Sequence, residues 1–158
     1  QRQMCIRDSP RSESSMLIES YFQQYPGIQN YIDSTCLMAR EKKYVETILG
    51  RKRPIWDADS DNGLRRQAAE RMAINMPIQG SSAEMIKIAM IRIAEEISKL
   101  NLRSKLVLQI HDELIFEFPS DEEEVLIKLV IDKMENAMKL NVPIVVDYGI
   151  GNSWYDAH

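Results

Sequence analysis

The 158 residues are 44% hydrophobic and 28% charged, enough apolar material for a folded core, and no run of 18 apolar residues exists to cross a membrane as a helix. Two cysteines, Cys5 and Cys36, have neither the number nor the spacing of a disulfide framework or a zinc site, so a reducing, cytoplasmic home is expected. The net charge of −4 gives no support to nucleic-acid binding by itself, yet nine basic residues face six acidic ones between Arg40 and Arg71, while 121–124 is an acidic run, so one face can favour phosphate.

Residues 1–9 show no periodicity and fit nothing that follows; they are read as a non-native tail and set outside the fold. From Pro10 the pattern is helical, with Met16, Leu17, Tyr21 and Phe22 on one face, until Tyr25-Pro26-Gly27 breaks it. A second helix is predicted over 26–43, its buried stripe formed by Ile28, Tyr31, Ile32, Thr35, Met38 and Ala39. Residues 44–49 read as a short strand that turns at Gly50 into the basic run Arg51-Lys52-Arg53. After a polar loop over 57–63, helix is predicted over 64–76 and stops at Pro77, since the residue before a proline resists the helical conformation. Another helix, 81–100, opens with a capping box of Ser81 and Glu84 and carries a broad stripe of Met85, Ile88, Ala89, Ile91, Ile93 and Ile97.

The most informative stretch is 105–118. Two short apolar runs flank His111-Asp112-Glu113 and predict a hairpin. A tight turn chosen for backbone geometry alone would carry glycine, because the favoured two-residue turns need positive φ; this tip has none. Adjacent carboxylates between apolar strands repel each other and resist burial unless something positive sits against them, and a divalent cation is the usual answer. Asp112 and Glu113 are therefore candidate metal ligands. Beyond them, amphipathic helix is predicted over 121–140, with Val125, Leu126, Leu129, Val130 and Met134 inward, then a last strand over 143–150 and a polar tail holding Trp154. The sum is an α+β fold: a small antiparallel sheet of the hairpin plus the C-terminal strand, backed by long helices.

Arg71, Asn75 and Gln79 recur every fourth residue, although Pro77 interrupts the ladder between them. All three are hydrogen-bond donors. The DNA minor groove presents acceptors at similar places for every base pair, so such donors can hold a duplex without reading its sequence.

Tyr44-Val45-Glu46-Thr47, Gly50-Arg51-Lys52-Arg53, the block 69–80 ending in Asn75-Met76-Pro77-Ile78-Gln79-Gly80, and Gln109-Ile110-His111-Asp112-Glu113 together resemble the C-terminal part of bacterial family A DNA polymerases, and the resemblance runs from Pro10 to His158. It implies transfer of a nucleotidyl group from a deoxynucleoside triphosphate to the 3′ hydroxyl of primer–template DNA, with two Mg²⁺ ions in the complete enzyme. It places residues 10–60 at the end of the fingers subdomain and 61–158 in the C-terminal part of the palm. Asp112 resembles the metal-binding catalytic aspartate of motif C, and Glu113 its acidic neighbour. Gln109 and His111 resemble residues near the primer terminus, and Arg71, Asn75 and Gln79 the polar contacts to the primer–template minor groove. Glutamate after the aspartate favours DNA polymerases over single-subunit RNA polymerases. The implied parent is a monomeric enzyme involved in DNA replication and repair.

The family's other catalytic aspartate, on motif A, and the nucleotide-binding helix of motif B lie upstream of where this chain begins, so the piece is expected to be inactive alone. A metal-dependent phosphohydrolase is disfavoured, since only His111 and His158 are available. The alternative is a non-catalytic DNA-binding or interaction remnant of such a polymerase.

Overall fold

A computed structural model describes residues 11–157; the tail expected at 1–9 lies outside them. The chain forms two compact units, Gln1–Pro77 and Ile78–His158.

In the first unit, helix α1 (Arg11–Gln24) and helix α2 (Pro26–Lys42) are separated by Tyr25 alone, with Pro26 supplying the preset φ of a first helical turn. Met16, Leu17 and Tyr21 on α1 are exposed, so the apolar face expected there is not covered. On α2 the buried positions are Thr35 and Ala39, whereas Ile28, expected in the stripe, is exposed near the helix start. Lys43 takes a left-handed conformation that closes α2, its N–H donating to the Ala39 carbonyl. The chain then makes an antiparallel hairpin of β1 (Tyr44–Glu46) and β2 (Lys52–Pro54), with Val45 opposite Arg53. Its loop carries Gly50 at φ +83°, and Thr47 Oγ1 accepts from the Arg51 amide at 3.0 Å. Val45, Ile55 and Ala58 are buried with Ala39, Ala69, Ala73 and Met76, the first core.

Where two helices were expected, one runs without a break: α3, Gly63–Lys99, with Pro77 inside it. An interior proline removes one hydrogen bond and crowds the carbonyl four residues back, roughly 3 kcal/mol. Here that residue is Ala73, which is small and fully buried, and burial of Met76 before the proline and of Ile86 and Ala89 after it outweighs the local penalty. Ser81 and Glu84 are consequently no capping box; both are buried in the helix interior. The cap is Asn62, whose Oδ1 accepts from the amides of Leu64 (3.0 Å) and Arg65 (3.3 Å). The far end closes as a Schellman motif: Asn101 is left-handed at φ 53°, its N–H donates to Ser98 O, and Leu102 N–H donates to Ile97 O.

In the second unit, β3 (Lys105–Ile110) and β4 (Glu113–Glu117) form the expected hairpin. A 3₁₀ turn (Ser120–Glu122) leads into α4 (Glu123–Glu135). This helix is shorter than the expected 121–140; Leu126 and Leu129 are buried as expected, but Val125 is exposed. The second core joins Ala89, Ile93, Leu129 and Ala137, with Leu102, Leu114, Phe116, Val130 and Met134 packed against it. The expected C-terminal strand does not form: 143–150 enters no ladder among the described residues. Its β-branched residues are strand-capable but no strand lies alongside, and the Val146 amide instead donates to Glu135 Oε1 at 3.2 Å. The chain ends in a short helix α5 (Trp154–Ala157) that folds so tightly onto Gly149 and Gly151 that a Cβ on either would overlap Ala157 or Asp156. The fold is α+β with two two-stranded antiparallel sheets, each a single hairpin.

Candidate functional site

The β3–β4 hairpin pairs Ile110 with Glu113, so its turn is the two residues His111 and Asp112 rather than a three-residue tip, and Glu113 is the first residue of β4. Such turns demand positive φ, and His111 meets the demand at φ 52° in place of glycine. A left-handed histidine costs about 1–2 kcal/mol, a strain that persists where the side chain's identity matters. Gln109 Nε2 donates to the His111 carbonyl at 2.9 Å. Val107 is an extra residue between the pairs Leu106–Phe116 and Leu108–Ile115. This bulge puts Gln109, opposite Leu114, on the same face as Leu106 and Phe116. Leu114 and Phe116 pack on the second core and anchor the ribbon.

At the end of that ribbon Asp112 and His111 are exposed and Glu113 is half-buried. None of the ion pairs among the described residues involves Asp112. Adjacent carboxylates on a stiff support are hard-oxygen donors of the kind Mg²⁺ takes, since it binds through one or two carboxylates and completes its octahedron with water and substrate phosphate. Among the described residues no group of three or more His, Cys, Asp or Glu side chains could hold a metal. Asp112 and Glu113 thus have the donor chemistry that suits Mg²⁺, and two carboxylates are fewer ligands than its octahedron takes.

The polar stripe is carried by α3. In the first unit Ala69, Ala73 and Met76 are buried and leave Arg71 and Asn75 exposed; in the second, Gln79 is exposed just past Pro77. All three lie on α3, Arg71 and Asn75 before Pro77 and Gln79 after it. Neighbouring Glu70 is taken by Arg40 (2.5 Å), and Tyr31 donates to the Ile74 carbonyl at 2.8 Å, its hydroxyl pushed up in pKa by burial.

A buried carboxylate lies at the root of the ribbon. Glu122, expected only as part of the acidic run, is buried and receives the Ser104 hydroxyl (2.6 Å), the amides of Arg103 and Ser104 (both at 2.9 Å) and Arg103 Nε (3.1 Å). The Ser104 hydroxyl and the Arg103 amide lead in drawing its carboxyl down to about 2. The group clamps the root of β3, while Asp121 takes the outer end of Arg103. Its only signal in the sequence is an acid soon after a strand pair, too common to single out.

The chain matches the DNA polymerase family A profile over residues 2–156. It is 46% identical over 147 residues to DNA polymerase I of Bacillus caldotenax, covering 93% of this chain and 17% of the relative. Against DNA polymerase I of Caldicellulosiruptor bescii it is 43% identical over 146 residues, 92% of this chain and again 17% of the relative. The chain therefore spans about one-sixth of these relatives. Its fold superimposes with a TM-score of 0.90, at 43% identity, on the polymerase domain of Pol1 from M. smegmatis in complex with DNA primer-template and dNTP, covering 92% of this chain and 26% of that one. With a profile match across nearly its whole length, a fold in agreement, and an exposed acidic hairpin end where the motif falls, the chain belongs to DNA polymerase family A.

Proposed function

We propose that this chain is the segment of a DNA-directed DNA polymerase that presents one catalytic carboxylate pair and a stripe of groove-binding donors to primer–template DNA. The observation that carries the reading is Asp112, exposed on a two-residue turn whose left-handed position is occupied by histidine. Two-residue hairpin turns favour glycine or asparagine at such a position, and histidine there supports a role for the side chain or its neighbour.

In this reading Asp112 is the catalytic metal ligand and Glu113 its supporting neighbour. Asp112 and Glu113, together with a carboxylate from another part of the parent enzyme, would hold Mg²⁺, which when bound would supply charge stabilisation and orientation for attack of the primer hydroxyl on the incoming nucleotide's α-phosphate. The hairpin's task is to hold Asp112 still, through Leu114 and Phe116 in the core and the Glu122 clamp at its root. Arg71, Asn75 and Gln79 donate to minor-groove acceptors, and Gln109 and His111 stand at the primer terminus. Residues 10–60 are assigned to the end of the fingers and 61–158 to the palm of a monomeric, cytoplasmic enzyme. The isolated chain, offering one carboxylate pair, does not polymerise.

Replacing Asp112 by alanine in the full-length polymerase tests the assignment. Losing a metal ligand worth several kcal/mol lowers kcat about a thousandfold, with primer–template affinity nearly unchanged. Undiminished incorporation by the variant would instead make this segment a DNA-binding remnant.

A further inference from the structure

Three features converge on Gln109. The Val107 bulge turns its side chain onto the Leu106, Leu114 and Phe116 face; its amide nitrogen reaches past Ile110 to the His111 carbonyl at 2.9 Å; and that carbonyl belongs to the residue carrying the left-handed strain. Without the extra residue in β3 the alternation of the strand would send Gln109 to the opposite face. From these observations we infer that Gln109 is a positioning residue: it holds the strained His111–Asp112 turn in the shape that presents Asp112. A two-residue turn with histidine at its positive-φ position has a competing relaxed form in which the backbone returns to negative φ and the tip opens. A side-chain hydrogen bond to the turn's own carbonyl opposes that relaxation. It uses one of Gln109's two amide hydrogens, leaving the other and the Oε1 acceptor for DNA.

This rests on the assignment of Asp112 as a metal ligand, and the experiment separates the two claims. Gln109→Met keeps length and removes the donor; His111→Gly removes the strain that needs holding. In the metal-free full-length polymerase, hydrogen exchange of the peptide over 105–117 is expected to quicken about three- to tenfold in Gln109→Met, the size of one net hydrogen bond, and this increment is expected to vanish when His111→Gly is already present. The half-saturating Mg²⁺ concentration is expected to follow the same pattern. Exchange that responds in this way while the Mg²⁺ dependence stays flat upholds the positioning role and sinks Asp112 as a ligand. Unmoved exchange, with primer–template affinity falling equally in both backgrounds, overturns the proposal and leaves Gln109 as a groove contact alone.

Discussion

The two hairpins solve the same backbone problem in opposite ways. The β1–β2 ribbon has three-residue strands, reverses through a longer loop, and gives the left-handed position to Gly50 at φ +83°. Its flanks are anchored by Val45 and Ile55, 0% and 2% exposed. The β3–β4 ribbon is longer, reverses in two residues, gives its left-handed position to His111, and is anchored by side chains that are only partly buried. The first is optimised for folding. The second accepts strain and thinner anchoring in exchange for an exposed aspartate at its end, the pattern expected where chemistry sets the residue.

The largest test of this contrast is truncation of the anchors. Ile55→Ala empties a fully buried site and is expected to lower the stability of the first hairpin by about 2–5 kcal/mol. Leu114→Ala removes less surface from water and is expected to lose roughly half as much. Native-state hydrogen exchange over 44–54 and 105–117 in the full-length polymerase reads both, and equal losses would erase the distinction. A smaller effect comes from the turns. Gly50→Ala meets no atom within 4 Å, so its penalty is purely that of a left-handed alanine, about 1–2 kcal/mol, with nucleotide incorporation unchanged. His111→Gly relieves a similar strain but adds unfolded-state freedom, so its stability changes by less than about 1 kcal/mol while activity falls. Loss of activity in Gly50→Ala would show that the first hairpin, too, serves the reaction.

The same contrast explains what the sequence could reveal. The β3–β4 ribbon was legible because its signal is local: within fourteen residues lie two apolar runs, a tip without glycine and a pair of adjacent carboxylates. Long helices were legible as periodicity, but their joints were not. Pro77 is a strong local breaker, and only burial of Ala73 and Met76 on one side and Ile86 on the other shows why α3 continues. The 143–150 segment failed in the other direction. Its Val and Ile content marks it as strand-capable, yet a strand exists only beside a partner, and pairing is non-local information. Val125 and Ile28 were misplaced because a helical period does not say which residues of a wide stripe reach the core. Of the candidate site, the sequence names residues but not their support: the Val107 bulge, the Gln109 bond and the Glu122 clamp are properties of the folded ribbon.

The Glu122 clamp gives the sharpest dependence on pH, with its effect complete at neutral pH and fading in acid. Glutamine keeps the shape and one acceptor oxygen, so Glu122→Gln disturbs the root of β3 only through the lost charge and the acceptor replaced by an amide. The carboxyl titrates at about 2 in the folded chain, below its ordinary value of 4.5. A depressed folded pKa means that the ionised clamp stabilises the fold fully above pH 4.5 and that this contribution is lost as the pH falls from 4.5 toward 2. Asp59, Glu96 and Glu124 are also held below their ordinary values, first by the hydrogen bonds from Lys43, Lys99 and Lys128, but they are the same in both proteins and cancel in the difference. The stability gap between wild type and Glu122→Gln, followed by urea-dependent exchange of the peptide over 103–110, is therefore expected to narrow steadily from pH 5 to pH 2. A gap that stays constant down to pH 2 would mean that shape, not charge, holds the root of the ribbon, and that the first and second hairpins differ less in their anchoring than their turns suggest.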